Sequence, residues 1–434
     1  MTERVSRVRA QPKPTLGRDA TGQGRPAATS TLRALMERDQ SPIEIRDADG
    51  DGELRRFAEV DAESFGGRAA TNMGWLAAAA PHAPLRLAHV EGEVVGGYIL
   101  LPAGQFFGGR SVPAQGVTAV AVHPAWRRRG VAGALMRDCV VLAREQGAAL
   151  APLHAATVRL YRRWGWEVCS QTLRQIVRIQ ALTGLSGSGR VRANPDRAAV
   201  EAMRRDHLAQ WDGPLDRADW FLSVEWDPGD PETLRFEYGW YEADRLTGYV
   251  RYESERQAKG WIRLRVQEFI YTTLDALRGL LGFLGSQESM SSDVVFVHSA
   301  LVDVSPLLWL LPEPHRDIEV EGFICWMQRI VNIDLAMTAR GWPARAAGRV
   351  ELEVTDPVTG VERVVLEVEN GSARVTPGGG GDIRCGVGAL SAWYSSALRA
   401  KDAVRLGLLE GEPSAINMMD GLIAGGLPWM PDFF

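Results

Sequence analysis

Apolar residues recur along the chain in two rhythms, and the points where one gives way to the other outline the elements. SPIEIRDADGDGELRRFAEVDAESF reads as a short strand, a D-x-D-G-D-G turn and an amphipathic helix with Leu54, Phe57 and Val60 on one face. Alternation of period two then dominates LRLAHVEGEVVGGYILLPAGQFFGGRSVPAQGVTAVAVHP, which predicts antiparallel strands at 85–90, 94–101 and 116–122. GVAGALMRDCVVLAREQG returns to helical spacing, with Val131, Leu135 and Val140 facing inward and Gly147 as its stop. A strand at 149–154, a short helix and turn in TVRLYRRWGW and a last strand in EVCSQTLRQIVRI follow. The expected order is one helix, an antiparallel meander, a central helix and a returning strand beside the meander. Residues 190–315 mix both rhythms. RVELEVTDPVTGVERVVLEVENGSARVTP then predicts three strands joined by D-P-V-T-G and E-N-G turns, a helix from about Gly388 and a last helix near 413–424.

Composition narrows the picture. The first forty residues are rich in Arg, Pro, Gly, Ser and Thr and lack the apolar core of a signal peptide, so a disordered leader is expected there. The chain has 434 residues, too many for one hydrophobic core. Its 54 Asp and Glu against 49 Lys and Arg argue against a general binder of nucleic acid or anionic membranes. Cys139, Cys169, Cys325 and Cys385 are scattered, which predicts neither a metal framework nor a disulfide scaffold and points to the reduced cytoplasm. The apolar run SALVDVSPLLWLLP is interrupted by Asp303, Pro306 and Pro312 and is too short to span a bilayer. The Asp cluster at 47–51 lacks the alternating ligands and closing Glu of a calcium loop, so it reads as a solvated turn capping a helix.

One joint concentrates chemistry. AVHPAWRRRGVAGALM places three arginines and Gly130 where a strand turns into a helix. The first N–H groups of a helix lack internal partners and, with the helix dipole, form a site for a phosphate-type anion. Gly130 permits close backbone approach, Ala132 keeps bulk away, and the arginines add charge-assisted hydrogen bonds. G-x-x-x-x-G-K-[ST] is absent here, so ATP hydrolysis is not expected.

VTAVAVHPAWRRRGVAGALM followed by LHAATVRLYRRWGW resembles the GCN5-related N-acetyltransferase (GNAT) superfamily, whose signature is a strand, [QR]-x-x-G-x-[GA] and a helix, with a Tyr on a later helix. IVNIDLAMTARGW and LSAWYSSALRAKDAVRLGLLEG extend the resemblance to the enhanced intracellular survival (Eis) acetyltransferases of actinobacteria, from about Ile43 to Phe434. The resemblance implies an α+β chain of tandem GNAT folds, the second degenerate, followed by a sterol-carrier-protein-like domain. The implied limits are a leader at 1–40, the acetyl-CoA-binding domain at 41–185, the second at 186–325 and the last at 326–434. It further implies that acetyl-CoA, without a metal, contacts Val120, Ala121 and Val122 on the strand and Arg128, Arg129, Gly130, Val131, Ala132 and Gly133 on the loop. Ala156 and Thr157 would flank the thiol end. Relatives of this kind form hexamers.

The same resemblance assigns two catalytic groups. Tyr161, in Y-x-x-x-G, would be the general acid; a phenol is protonated at neutral pH and donates to a leaving thiolate. The chain ends PWMPDFF, apolar where termini are ordinarily polar, and the terminal carboxylate on Phe434 would take the proton of the attacking amine. His123 and His154 are read as structural, while Trp75, Trp126, Trp164 and Trp429 lie on segments able to line an acceptor pocket. Eis-type pockets are rich in acids, but Phe433 stands beside the terminal residue here, and SFGGRAATNMGW brings Gly66, Gly67 and Arg68. The acceptor expected is therefore a small-molecule amine, aminoglycoside-like or, favoured by an aromatic pocket, a more hydrophobic natural-product amine. A protein-lysine acetyltransferase and a non-catalytic lipid-binding protein with a relic CoA site are the alternatives.

Overall fold

The computed structural model describes residues 42–220, 234–257, 260–302, 305–423 and 426–434; the leader expected at 1–40 lies outside them. The first sheet is antiparallel, in the order Glu44–Asp47, Leu85–Val90, Glu93–Phe107 and Arg110–Val122, with the short strand Leu215–Asp216 added to the third. The three strands expected at 85–90, 94–101 and 116–122 are present. The last two run on toward each other as one long hairpin closed by Gly108 and Gly109, at φ of 57° and 78°. Both glycines supply the left-handed backbone that a two-residue hairpin turn demands. Pro102 and Pro113 obscured this extension in the sequence, because proline ordinarily argues against a paired strand.

The expected amphipathic helix is Gly50–Phe65, which buries Phe57, Ala58 and Val60. Its start absorbs the glycines assigned to the turn, and the Asp49 side chain makes no cap. Glu53 instead reaches back from the second turn's start to accept from the Asp49 N–H at 2.8 Å, satisfying the N-cap donor from one residue beyond capping-box spacing. A second helix, Ala69–Ala79, follows where no periodicity pointed to one. The central helix, Val131–Glu145, buries Leu135, Met136, Cys139 and Val140 against the sheet and ends before Gly147, whose φ is 78°.

The returning strand, Glu167–Arg178, does not lie beside the meander. It belongs to a second sheet of eight strands, where Ile318–Gln328 is inserted between it and Leu153–Ala155. The meander instead meets the Leu150–Leu153 segment, with Gln115 N–H donating to the Leu150 carbonyl at 2.9 Å and Val117 N–H to Pro152 at 2.9 Å. Sequence pattern specifies that a strand exists, whereas its neighbour is set by a segment some 150 residues later in the chain. That inserted strand also runs through residue 325, where a domain limit was expected. Beyond Glu167–Arg178 the sheet continues through Ser291–Phe296, Ile262–Tyr271, Arg245–Arg256, Arg235–Glu242 and Arg190–Ala193, with the Leu274–Gly285 helix packed on it.

The three strands expected near 349–377 are Gly348–Asp356, Gly360–Glu369 and Ser372–Pro377. They form a third sheet with Ile383–Gly386 and Leu409–Gly411, covered by the helices Val387–Tyr394 and Pro413–Leu422. All four cysteines are free, and no metal-ligating cluster occurs among the described residues. No helix among them is long and apolar enough to cross a membrane.

Candidate active site

The Arg110–Val122 strand is not regular where it approaches the joint. Its register with Glu93–Phe107 slips between Gly97 and Ile99, and Ala119 adopts φ of 51°. Such a bulge re-aims the strand, and Thr118 to Val120 turn toward a cavity as a result. Beyond it, Pro124–Trp126 forms one 3₁₀ turn capped by the His123 ring, which accepts from the Ala125 N–H at 3.3 Å. Arg127 folds back and donates from Nε to the Val122 carbonyl at 3.2 Å. Arg128 and Gly130 have positive φ, 64° and 91°, so the chain winds tightly into the N-terminus of Val131–Glu145. The N–H groups of that first turn therefore open onto the surface beside Arg127 and Arg128.

A cavity of about 560 Å³ lies over this helix start. Val120, Val122, Arg128, Gly130, Val131, Ala132, Gly133, Ala156 and Thr157 line it, together with Tyr161. Two of the expected contacts do not. Ala121 points to the opposite face, buried in the cluster around Phe57 and Leu87, as alternation along a strand requires. Arg129 lies over the Trp126 ring, 4.9 Å from its centroid. Ser64 was not anticipated: it lines the same cavity, and its buried Oγ has no hydrogen-bond partner within the protein.

A second cavity, of about 590 Å³, adjoins the first; Phe65, Val120, Ala156 and Tyr161 line both. Tyr161 is 6 % exposed, at the end of the five-residue helix Val158–Arg162, with its ring edge-on to Trp166 at 6.1 Å. Burial raises its phenol above the ordinary value, so it remains a proton donor across the physiological range. The walls of the second cavity are largely aromatic: Phe65, Trp75, Phe323, Phe433 and Phe434. Of the other tryptophans considered, Trp126 lines the first cavity, Trp164 packs against Gly133, and Trp429 is buried in the tail. Gly66, Gly67 and Arg68 do not line the second cavity, which takes Asp61, Thr71 and Asn72 from the flanking helices. Among the described residues Asp61 is the one acidic side chain on its wall. The sequence held a signal for it, since Asp61 follows Leu54, Phe57 and Ala58 and precedes Phe65 on the apolar stripe of the helix.

The C-terminal tail reaches this cavity under tight control. Trp429 is buried and donates from Nε1 to the Ser299 carbonyl at 2.8 Å. Asp432, 1 % exposed, accepts from the Leu215 N–H at 2.8 Å, from Arg217 Nε at 2.7 Å and from Arg204 Nη2. Arg204 also donates to Glu268 at 2.8 Å, and Arg217 and Arg251 approach the same carboxylate, which the three arginines hold well below the usual range. The Asp432 carbonyl accepts from His154 Nε2 at 2.8 Å, and Thr172 Oγ1 faces His154 Nδ1 at 3.3 Å. A carbonyl can only accept, so Nε2 carries the hydrogen. Burial pushes the His154 pKa down to about 4, leaving a neutral ring committed to the tail. Phe433 stacks on His298 at 4.2 Å, and the Phe434 ring meets His154 at 5.3 Å. A Cβ placed on Gly116 would lie 2.9 Å from the Phe434 ring, so the strand floor is shaped to receive it.

Three family models match the chain in succession: an acetyltransferase (GNAT) domain at residues 44–169, a second at 213–330 and a sterol carrier protein domain at 333–431. N-acetyltransferase Eis of Mycobacterium tuberculosis is 28% identical over 341 residues, covering 73% of this chain and 79% of that protein. An uncharacterised N-acetyltransferase of Streptomyces avermitilis is 27% identical over 367 residues, 75% and 82% of the two chains. Among solved structures, a GCN5-related N-acetyltransferase from Anabaena variabilis superposes with a TM-score of 0.84 at 24% identity, covering 91% of this chain and all of that one. Eis1 from Mycobacterium abscessus gives 0.72 at 23% identity with 91% and 100% coverage. Tandem acetyltransferase folds, a closing sterol-carrier-like sheet and a strand-to-helix joint opening on a cavity thus coincide in one molecule, and the chain belongs to the GNAT superfamily of acetyltransferases and is similar to its Eis members.

Proposed function

We propose that this enzyme transfers the acetyl group of acetyl-CoA to the amine of a small molecule, the donor entering by the first cavity and the acceptor by the second. One observation carries the reading: the two cavities share a wall at Tyr161, so an acyl group in one meets an amine in the other there. The residues present suit acetyl-CoA. The helix start with Arg127 and Arg128 offers N–H groups and charge to a pyrophosphate, and the orphaned Ser64 Oγ offers a hydrogen bond to the polar arm beyond it. Val120 and Val122 line the channel between them. A volume of about 590 Å³ suits a small molecule.

Acetyl transfer needs a base for the ammonium and an acid for the departing thiolate. Tyr161 is the acid, its proton retained by burial. The carboxylate of Phe434 is the base, carried by a tail that Asp432 and His154 fix at its third residue from the end. Withdrawal of a carboxylate from water raises its proton affinity toward the range useful for this task. Substituting Tyr161→Phe keeps the ring and removes the donor. A fall of about 10²–10⁴-fold in kcat with nearly unchanged acetyl-CoA KM is expected, read by CoA release over a panel of amines. A variant within about twofold of wild type leaves Tyr161 a packing residue, and a wild-type enzyme that fails to bind acetyl-CoA by calorimetry removes the proposal altogether.

A further inference from the structure

The second cavity contains a charge that the proposed chemistry does not use. Asp61 projects from the Gly50–Phe65 helix, four residues before Phe65, and accepts one hydrogen bond, from Asn72 Nδ2 at 2.8 Å. Among the described residues no Lys or Arg side chain lines the cavity. Arg174 lies 6.0 Å from the centroid of the Phe323 ring and pairs with Glu321 at 3.3 Å. Burial raises the Asp61 pKa to about 6, so at neutral pH the carboxylate is largely ionised, half-buried and, among the described residues, satisfied only by an amide. A carboxylate left in that state among aromatic walls is compensated when a ligand brings a cation, and the aromatic faces attract the same charge.

Which nitrogen it would meet follows from the walls. Transfer takes place where both cavities are lined by the same residues, at Phe65, Val120, Ala156 and Tyr161. Asp61 lines the acceptor cavity alone, so it stands away from the donor. We propose that Asp61 is the specificity-determining residue of the acceptor cavity: it binds a second cationic nitrogen, remote from the amine that is acetylated, and selects an apolar-bodied diamine. This rests on the reading of that cavity as the acceptor site. One acidic side chain and the terminal carboxylate match two positive charges, and the aromatic walls match an apolar spacer between them. A polycation would bring more charges than the cavity has carboxylates to pair.

Matched pairs of acceptors test this on the full-length enzyme: 1,8-diaminooctane against octylamine, and 1,3-bis(aminomethyl)benzene against 3-methylbenzylamine. The wild type is expected to favour each diamine by about 10- to 100-fold in kcat/KM, chiefly through KM, the worth of one charge-assisted hydrogen bond. Asp61→Asn preserves shape and should bring the ratio close to one. A second readout needs no variant: a distal dimethylamino group, protonated and still bearing one N–H, should keep the preference, and a distal acetamide should lose it. A wild type indifferent to the distal charge, or a preference surviving in Asp61→Asn, overturns the assignment. Tyr161→Phe should lower turnover of both members and leave their ratio intact. An enzyme that acetylates none of these amines nor any other small amine fails the transfer reading itself, which is a different result from an active enzyme without charge preference.

Discussion

At Gly130 a single hydrogen atom in place of a side chain decides what the helix start can hold. The residue has φ of 91°, and the nearest atom to an added Cβ would be Ile43 Cδ1 at 4.0 Å, so the space outside it is open for a ligand. Gly130→Asp strains the backbone and sets a carboxylate against the proposed pyrophosphate, whereas Arg128→Ala only subtracts charge. Both should weaken acetyl-CoA binding by calorimetry, the first more than the second; unchanged affinity in both removes the anion site. Asp61 gives a contrasting test because its cost appears in the free enzyme. Its folded pKa, about 6, stands above its ordinary value, so the unfolded chain ionises first and stability falls as pH rises between about 4 and 6. Above that window the loss is complete, on the order of 2 kcal/mol after allowing for partial solvent access. Asp61→Asn should therefore melt higher than wild type at pH 8 and nearly level with it at pH 4; equal melting at both would show a well-solvated carboxylate.

The tail is an element with no regular structure whose path is set by side chains. Trp429 and Asp432 are its anchors, held by the Ser299 carbonyl and by the pair Arg204 and Arg217. One added glycine after Phe434 moves the terminal charge about 3.5 Å and turns the former carboxylate into an amide. If that carboxylate is the base, the extended enzyme should lose on the order of 100-fold in kcat. Melting and acetyl-CoA affinity should stay near wild type. Full activity in a stably folded extension would assign the proton to another acceptor. His154 is poorly suited to take its place, since Nε2–H is given to the Asp432 carbonyl and burial keeps the ring neutral. Asp432→Asn acts on the same element from its root: it leaves two buried arginines short of a partner, at about 3–5 kcal/mol. A fall in kcat exceeding any fall in acetyl-CoA affinity is the expected signature.

Across the whole molecule, the closing sheet and the chain leaving the strand Ile318–Gln328 are joined by a buried ion pair. Arg329 is fully buried, donates from Nη2 to both Asp356 oxygens at 2.9 and 2.8 Å, and lies 5.4 Å from the Trp166 ring centroid. Gly165, at φ of 89°, leaves room for its Nη1. Trp166 in turn packs edge-on against Tyr161, so the pair stabilises the turn behind the proposed acid. Asp356→Ala strands a buried guanidinium and should destabilise by about 3–5 kcal/mol in denaturant unfolding, while the double variant Arg329→Met, Asp356→Leu should recover most of that. Equal stability of the single variant and wild type would mean that water already satisfies Arg329.

Local physics was legible from residue order alone. The helix Val131–Glu145, its glycine stop, the hairpins near 348–377 and the R-x-x-G-x-A joint all depend on periodicity, turn chemistry and unpaired helix-start N–H groups within one short window. Nine of the eleven expected donor contacts line one cavity with Tyr161, because they occupy two short stretches of backbone, 120–133 and 156–157. Ala121 and Arg129 depart from it for reasons of side-chain direction, which strand pleat and a neighbouring tryptophan determine. The rest required the tertiary fold. Insertion of Ile318–Gln328 displaced the returning strand from the meander, and pairing over such separations leaves no local trace. Asp432 finds its arginines more than two hundred residues earlier in the chain, and Asp61 comes to share a cavity with Phe323, Phe433 and Phe434 only in the folded molecule. Helices and turns are short-range solutions to backbone hydrogen bonding. Cavities and buried charge networks exist only after distant segments remove water between them, which is why tertiary structure alone decided the aromatic cavity of this enzyme.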